Sequence, residues 1–355
     1  MRAIVLVGGE GTRLRPLTWR TPKQLVPVLN RPLLEHLLLH LRAHEVRQVT
    51  LAMTQRNPAI REAFGDGSQL GIELEYAYED TPLGSGGAIA SIARGWDETF
   101  LVCNGDIITD LDLSAMFAFH REHASELTIH LHEVEDPSAF GVAVLDGTGR
   151  ITQFVEKPPR ESAPSRLINA GNWVFEPSAA RELDATTFNQ VERGLFPAMC
   201  EAGRAIHGYS APSFWMDVGN PEALRLVNLA LVEDALAGGA SVEGTVEGRA
   251  GDGVAGVLVG AGTQVAEGAR VRRPAVIGRG CRVGDGATVE RSVLWDDVVV
   301  GSGATVRDSV VASGVQIGAG AVVEHSVVAH GARVAPGARL IDESVEPDDV
   351  VEAEG

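Results

Sequence analysis

Cysteine is scarce in this chain: Cys103, Cys200 and Cys281 are its only three in 355 residues. They lie far apart and in no metal-ligand spacing, so they predict reduced thiols rather than a disulfide framework. No apolar run approaches the roughly 20 residues a membrane span needs. No charged-then-apolar leader is present, because a strand-like run begins directly after Met1-Arg2. A basic excess is missing as well. Acidic residues number 48 against 30 basic, a net charge of −18, which argues against nucleic acid or an anionic membrane as partner. Together these absences predict a cytoplasmic protein with no membrane association. What is present is ordinary for a folded chain: 45% hydrophobic and 22% charged residues, at a length that suggests about two domains with ample cores.

The most informative segment is Gly8-Gly9-Glu10-Gly11-Thr12-Arg13-Leu14-Arg15-Pro16-Leu17-Thr18, followed by Thr21-Pro22-Lys23. It begins where the apolar run Ile4-Val5-Leu6-Val7 ends, and that run reads as a first buried strand. Glycines after a strand let backbone N–H groups approach phosphate oxygens. Arg13 adds a planar fork suited to phosphate, and Lys23 a point charge. With Arg15 they concentrate positive charge locally in an acidic protein. Two familiar phosphate patterns are excluded. The dinucleotide fingerprint needs a third glycine where Leu14 stands, and no Gly-Lys pair exists to make a Walker A loop.

Strand-like and helix-like segments alternate over the first ~235 residues, the pattern of an α/β layer fold. Helices are expected over 32–44 and 221–236, and strands over 49–53, 100–104, 127–131 and 141–145. His36, His40 and His44 are spaced i, i+4, i+8; a half-exposed helix face explains them better than zinc. At Gly238 the composition turns to Gly, Ala and Val. Val259, Val265, Val271, Ile277, Val283 and Val289 recur every six residues; Leu294, Val311 and Val328 recur every seventeen, as do Ser292, Ser309 and Ser326. Such rungs predict a triangular parallel coil of about five turns. The expected organisation is a catalytic domain at 1–236, a Gly-rich linker at 237–256, the coil at 257–346 and an acidic tail at 347–355.

The glycine-rich signature resembles that of the sugar-1-phosphate nucleotidyltransferases, the nucleoside-diphosphate-sugar pyrophosphorylases. The C-terminal repeats resemble the hexapeptide-repeat, left-handed parallel β-helix. The expected fold class is therefore α/β, a Rossmann-like domain with a mixed sheet followed by a left-handed β-helix. Further motifs agree in order and spacing, each weak alone. The resemblance assigns nucleotide contacts to Val7, Gly8, Gly9, Gly11, Thr12 and Gln24, and to Pro82, Leu83, Gly84 and Gly86 in Pro82-Leu83-Gly84-Ser85-Gly86, where Ser85 replaces the family's Thr. It makes Asp106 of Asn104-Gly105-Asp106 and Asp217 of Trp215-Met216-Asp217-Val218-Gly219 the carboxylates that hold Mg²⁺. It puts Gly141, Glu156, Lys157, Asn169 and Gly171 at the sugar phosphate. Taken singly, Asp106 reads equally as a turn aspartate, and Glu156-Lys157-Pro158 as a solvated turn.

The implied reaction needs no general base, since a phosphomonoester is already ionised near neutral pH. It needs charge neutralisation and in-line alignment at the α-phosphate, roles the resemblance gives to Arg13, Lys23 and Lys157. The branch it is most similar to is that of the mannose-1-phosphate guanylyltransferases, which ranks GTP with mannose 1-phosphate first. Gln24 after Pro22-Lys23 points instead to dTTP or UTP with glucose 1-phosphate. A silent nucleotide-sugar-binding subunit would lack Arg13, Lys23 or a metal carboxylate, and all are present. His325 and His330 on the coil read as surface histidines rather than the base of a second, acyl-transfer activity. The coil is expected to mediate homo-oligomerisation.

Overall fold

A computed structural model describes residues 1–54, 57–237 and 256–353. The linker expected at 237–256 therefore lies, apart from its end residues, outside the described residues, as do the last two residues of the expected tail. The chain forms two compact units that cut across its linear order. Met1–Gly9 with Leu34–Met216 make the first, and Glu10–Leu33 with Asp217–Gly355 the second.

The first unit is a mixed sheet with helices. Its elements are β1 (Arg2–Leu6), α1 (Leu33–Ala43), β2 (Gln48–Met53), α2 (Pro58–Phe64), β3 (Glu73–Tyr78), α3 (Gly84–Ile92), β4 (Phe100–Asn104), β5 (Ile107–Thr109), α4 (Leu113–Glu122), β6 (Leu127–Glu133), β7 (Gly141–Leu145), β8 (Ile151–Glu156), β9 (Leu167–Phe175), α5 (Leu195–Glu201), β10 (Ile206–Tyr209) and β11 (Trp215–Asp217). The sheet order is β8-β7-β9-β4-β1-β2-β3, with β6 beside β9 and β10 beside β6. β4, β1, β2 and β3 run parallel, and β9 runs antiparallel to β4, β6 and β7. The inner parallel strands β1, β2 and β4 are largely apolar, as strands covered on both faces must be, and Ala3, Ile4 and Val5 are fully buried; the edge strand β3 instead exposes Glu73 and Glu75. Trp173, Phe100, Phe175 and Phe196 fill the space against the helices. α4 starts at Asp112, whose carboxylate accepts from the Ala115 N–H at 2.9 Å, a side-chain cap that fixes where the helix begins.

Because β1, β2, β3 and β4 are parallel, their carboxyl ends share one edge of the sheet. That edge is where ligands bind in open α/β sheets. Gly8-Gly9, Thr54, Glu79 and Asn104–Asp106 all lie at or just beyond the ends of those strands.

The second unit holds the loop 10–33, α6 (Pro221–Ala237) and the coil. The coil's strands form parallel sheets of six, six and five strands. Val259, Ile277, Leu294, Val311, Val328 and Val345 stand in register on one of them. Buried Val, Ile, Leu and Ala fill the interior. The repeating serines have a structural cause. Ser292, Ser309 and Ser326 are buried; each hydroxyl donates to the carbonyl two residues back, at 2.7 Å, and accepts a backbone N–H from the next turn at 3.1–3.2 Å. The coil runs on to Val350–Val351, which pairs with Arg333–Val334, so part of the stretch expected as tail is a strand. α6 is riveted to the coil. Arg225 donates to the Arg291 carbonyl at 3.0 Å and to Asp308 at 3.3 Å. Asp308 is also gripped by the Arg291 guanidinium, which holds its carboxyl below the usual carboxylate range against the opposing effect of burial.

Candidate active site

In the first unit a cavity of about 480 Å³ opens at the carboxyl edge of the parallel strands. Gly8, Gly9, Pro82, Gly84 and Asp106 line it, so three motifs separated in sequence meet at one place. Gly9 is in the left-handed region at φ 102°, where the chain turns off the sheet. Val7, Leu83 and Gly86 are not among the lining residues. Val7 is buried and packs under Gly105. The space beside Gly86 is filled by the Asn189 side chain, so that glycine serves the approach of another segment.

The cavity also has walls that the motifs did not reveal: Thr54, Glu79, Phe188 and Gln190. Glu79 carries the most chemistry. Its Oε2 accepts the Leu83 N–H at 3.1 Å, closing the turn that presents Pro82 and Gly84. Among the described residues its Oε1 is buried with no hydrogen-bond partner. Burial pushes its pKa up, with the Leu83 N–H opposing. An acceptor-only group left unpaired at a cavity wall is costly unless a ligand supplies donors. The signal that could have found it is position alone, since Glu79 directly succeeds β3 at the carboxyl edge.

The residues expected at the sugar phosphate lie around the β7–β8 hairpin and the neighbouring β9. Glu156 stands opposite Gly141 in register, and the Lys157 N–H donates to the Phe140 carbonyl at 3.0 Å. Gly141 and the Glu156-Lys157 segment are therefore direct partners across the hairpin. The Glu156 pKa is raised, by burial first and then by Glu192, with Lys157 and Arg193 opposing. Lys157 is exposed, 3.9 Å from Glu156. On β9 the register with β6 breaks between Asn169 and Trp173. Gly171 sits in that bulge at φ 76°, a conformation that favours glycine. Asn169 Oδ1 accepts from Gly171 N–H at 3.1 Å and from the Trp173 indole at 2.7 Å, so its amide N–H₂ is what it can offer a sugar. Trp215 donates to the Ala170 carbonyl at 2.9 Å and stacks on His132.

The second unit holds the remaining expected residues. Thr18 folds the signature loop back on itself by donating to the Gly11 carbonyl at 2.8 Å. A Cβ at Gly11 would lie 3.1 Å from the Lys23 Cβ, so the lysine stem runs along the glycine turn. Thr12 and Arg13 are exposed, and Gln24 is buried. Arg13 and Asp217 both flank Gly219: a Cβ there would stand 3.1 Å from the guanidinium and 3.0 Å from the carboxylate. The glycine of Trp-x-Asp-x-Gly thus lets a cation and an anion approach bare backbone. Arg15 has contacts of its own in the loop. Its guanidinium lies 3.9 Å above the Trp19 ring and 3.5 Å from Glu10.

Among the described residues no three His, Cys, Asp or Glu side chains converge in a way that would hold a metal ion. Mg²⁺ takes one or two carboxylates and completes its shell with water and substrate phosphates; each unit by itself offers one expected carboxylate, Asp106 at the cavity wall of the first and Asp217 beside Arg13 in the second. His330 is half-buried rather than a plain surface histidine, whereas His325 is exposed. No described helix is long and apolar enough to cross a membrane.

Known proteins agree with this architecture. The family model described as "Nucleotidyl transferase" matches residues 2–234, and that of the "EIF2B subunit epsilon LbH domain" matches residues 249–340, which makes the coil a left-handed β-helix. Mannose-1-phosphate guanylyltransferase of Mycobacterium tuberculosis is 37% identical over 301 residues, 84% of this chain and 80% of that protein. Mannose-1-phosphate guanylyltransferase catalytic subunit beta of Drosophila pseudoobscura pseudoobscura is 40% identical over 225 residues, 62% of this chain and 60% of that protein. Among solved structures, HddC from Yersinia pseudotuberculosis is similar over 64% of this chain and 97% of its own, with a TM-score of 0.56 at 23% identity. A putative glucose-1-phosphate thymidylyltransferase from Bacillus anthracis reaches 0.55 at 23% identity, over 64% of this chain and 94% of its own. At that identity both speak for the fold alone. The chain belongs to the nucleotidyl transferase family, and its class of reaction is nucleotidyl transfer to a sugar 1-phosphate.

Proposed function

We propose that the chain transfers guanylyl from GTP to mannose 1-phosphate, giving GDP-mannose and pyrophosphate. The observation that carries this reading is the unpaired carboxylate oxygen of Glu79 at the cavity wall. The Watson–Crick edge of guanine presents two adjacent donors, N1–H and the 2-amino group. A carboxylate only accepts, so it matches that edge after a small side-chain rotation. Thymine and uracil offer one donor between two carbonyls, and one of those oxygens would face the carboxylate. The names of the relatives support the same base and sugar. Gln24 is the feature that favours dTTP or UTP with glucose 1-phosphate, because an amide can both donate and accept.

The remaining roles rest on charge. Arg13 holds the departing pyrophosphate, Lys23 meets charge growing at the α-phosphorus, and Lys157 orients the sugar's phosphate. Glu156 and Asn169 face sugar hydroxyls. Asp106 and Asp217 would hold Mg²⁺, which supplies charge neutralisation at the phosphates when bound. The test is a matrix of GTP, dTTP, UTP, ATP and CTP against mannose, glucose and N-acetylglucosamine 1-phosphates, read by pyrophosphate release. GTP with mannose 1-phosphate is expected to give the highest kcat/KM. A higher value for dTTP or UTP with glucose 1-phosphate would replace this reading. Release from no pair would favour the silent subunit.

A further inference from the structure

The loop that carries Arg13 and Lys23 is fastened to the β-helix on both sides of Lys23. On one side, Arg20 pairs with Asp348 through both oxygens of the carboxylate, and the Thr21 hydroxyl lies 2.9 Å from His330 Nε2. On the other, Asn30 Nδ2 donates to the Ile277 carbonyl at 2.9 Å, and the Leu29 N–H donates to Asn228 of α6 at 2.8 Å. Asn228 is fully buried and also reaches the Pro27 carbonyl, at 3.4 Å. These contacts join residues that lie about 200 to 330 positions apart in sequence. Ile277 belongs to an early turn of the coil, while His330 and Asp348 belong to its last turns, so Lys23 hangs between two anchors on one rigid body.

His330 is built for this contact. Its ring meets Trp295 edge-on at 5.3 Å, and Trp295 is itself buried. Its Nδ1 is buried with no partner among the described residues. Burial, and then the neighbouring Arg20, lower its pKa, with Asp348 opposing. The imidazole is therefore a neutral hydrogen-bonding group whose one partnered nitrogen serves Thr21. A surface histidine exposed for acyl transfer would not spend that nitrogen on a loop two residues from Lys23.

We propose that His330 and Asp348 are positioning residues for nucleotidyl transfer. Through Thr21 and Arg20 they hold the loop so that Lys23 stays in one place, which makes the last turns of the β-helix part of the catalytic apparatus. This rests on the assignment of Lys23 to the α-phosphate. The Arg20–Asp348 pair is solvent-exposed and contributes little alone, because such pairs are screened. The half-buried Thr21–His330 bond is the stronger tie.

The test uses the full-length chain with Thr21→Val, Thr21→Ser, His330→Ala, His330→Gln and Asp348→Asn. Two readouts are taken: steady-state kinetics with the best substrate pair, and amide hydrogen exchange of peptides covering residues 18–26. Thr21→Val and His330→Ala are expected to lower kcat about three- to tenfold, the worth of one ordinary hydrogen bond, with KM for the sugar 1-phosphate within twofold. Exchange in the loop should quicken by a similar factor. Thr21→Ser and His330→Gln, which keep a hydrogen-bonding group, should recover most of both losses, and Asp348→Asn should act weakly in the same direction. Unchanged loop exchange in Thr21→Val and His330→Ala would overturn the tether. Faster exchange with unchanged kcat would overturn its catalytic role. If no substrate pair turns over, the functional assignment and the catalytic role fail together, while the exchange readout still decides the tether.

Discussion

Replacing Glu79 by Gln isolates the group that should read the base. The two side chains have the same shape, and Gln retains a carbonyl oxygen for the Leu83 N–H that Glu79 now accepts at 3.1 Å. The turn at Pro82 and Gly84 should therefore persist, and melting temperature should hardly move. What changes is the second oxygen, now buried without a partner, which becomes an amide N–H₂ facing the guanine donors. A hydrogen bond to a charged acceptor contributes about 1.5–3 kcal/mol, so kcat/KM for GTP should fall about 10- to 150-fold. Inosine triphosphate sharpens the test because it lacks the 2-amino group. Wild type should prefer GTP over inosine triphosphate about tenfold or more, and Glu79→Gln should bring the ratio close to one. The pKa of Glu79 is raised in the free protein, while guanine needs the ionised form. GTP affinity should therefore be greatest above that raised pKa and decline as pH falls through it. A GTP-to-inosine-triphosphate ratio identical in both proteins would refute the reasoning, since the carboxylate would then not meet the base.

Other consequences can be checked separately. Lys23→Ala and Asp217→Ala should each lower turnover at least about a hundredfold in the pyrophosphate-release assay without unfolding the protein. Chelation of divalent ions should abolish pyrophosphate release, and Mg²⁺ should restore it; full activity in excess chelator would remove the metal role from Asp106 and Asp217. Arg225→Met should cost about 1.5–3 kcal/mol in urea unfolding, less than the ~3–5 kcal/mol of a fully orphaned buried charge, because Arg291 still grips Asp308. His130 is fully buried, and burial, then His132, push its pKa down to about 3. A depressed histidine pKa means that the unfolded chain takes up the proton first. Stability is then intact above the unfolded value near 6.5 and lost as pH falls toward 3. Acidification from pH 7 to 5 should remove about 2 kcal/mol through this residue alone, and His130→Gln should lose that share of the pH dependence in denaturant titrations.

Much of the architecture was legible because its causes are local and periodic. Ile4-Val5-Leu6-Val7 running into glycines gave a buried strand and its turn. The six- and seventeen-residue repeats gave the coil, down to the stacked serines whose hydroxyls bridge successive turns. Gly141 and Glu156, which the resemblance grouped at one substrate, prove to be register partners. Glu79 was not legible, because nothing in Tyr78-Glu79-Asp80 sets it apart from a solvated acidic turn. Its character comes from β3 ending at the same edge as β1, β2 and β4, and from burial that leaves one oxygen unpaired. The fate of Arg15 was equally hidden, since an arginine one turn from an exposed tryptophan can stack on it instead of facing phosphate.

Chain order also hides which residues hold the signature loop in place. A motif that comes within a few residues of β1 reads as part of the β1 domain, and connectivity alone gives no reason to move it. Yet the polar groups of 10–33 find their partners on α6 and the β-helix: Asn228 for the Leu29 N–H, the Ile277 carbonyl for Asn30, His330 for Thr21, Asp348 for Arg20. The loop buries Leu14, Leu17, Val26 and Val28, but ordering its backbone costs roughly 1–2 kcal/mol per residue. The coil offsets that cost because its interior is already fixed by its own repeats and Arg225 locks α6 to it. A truncated chain ending near residue 237 should therefore retain the sheet and its cavity while losing order in 10–33. It should bind nucleotide through the glycine edge but transfer the nucleotidyl group poorly. A truncated chain with full kcat would show that the loop orders itself without the coil.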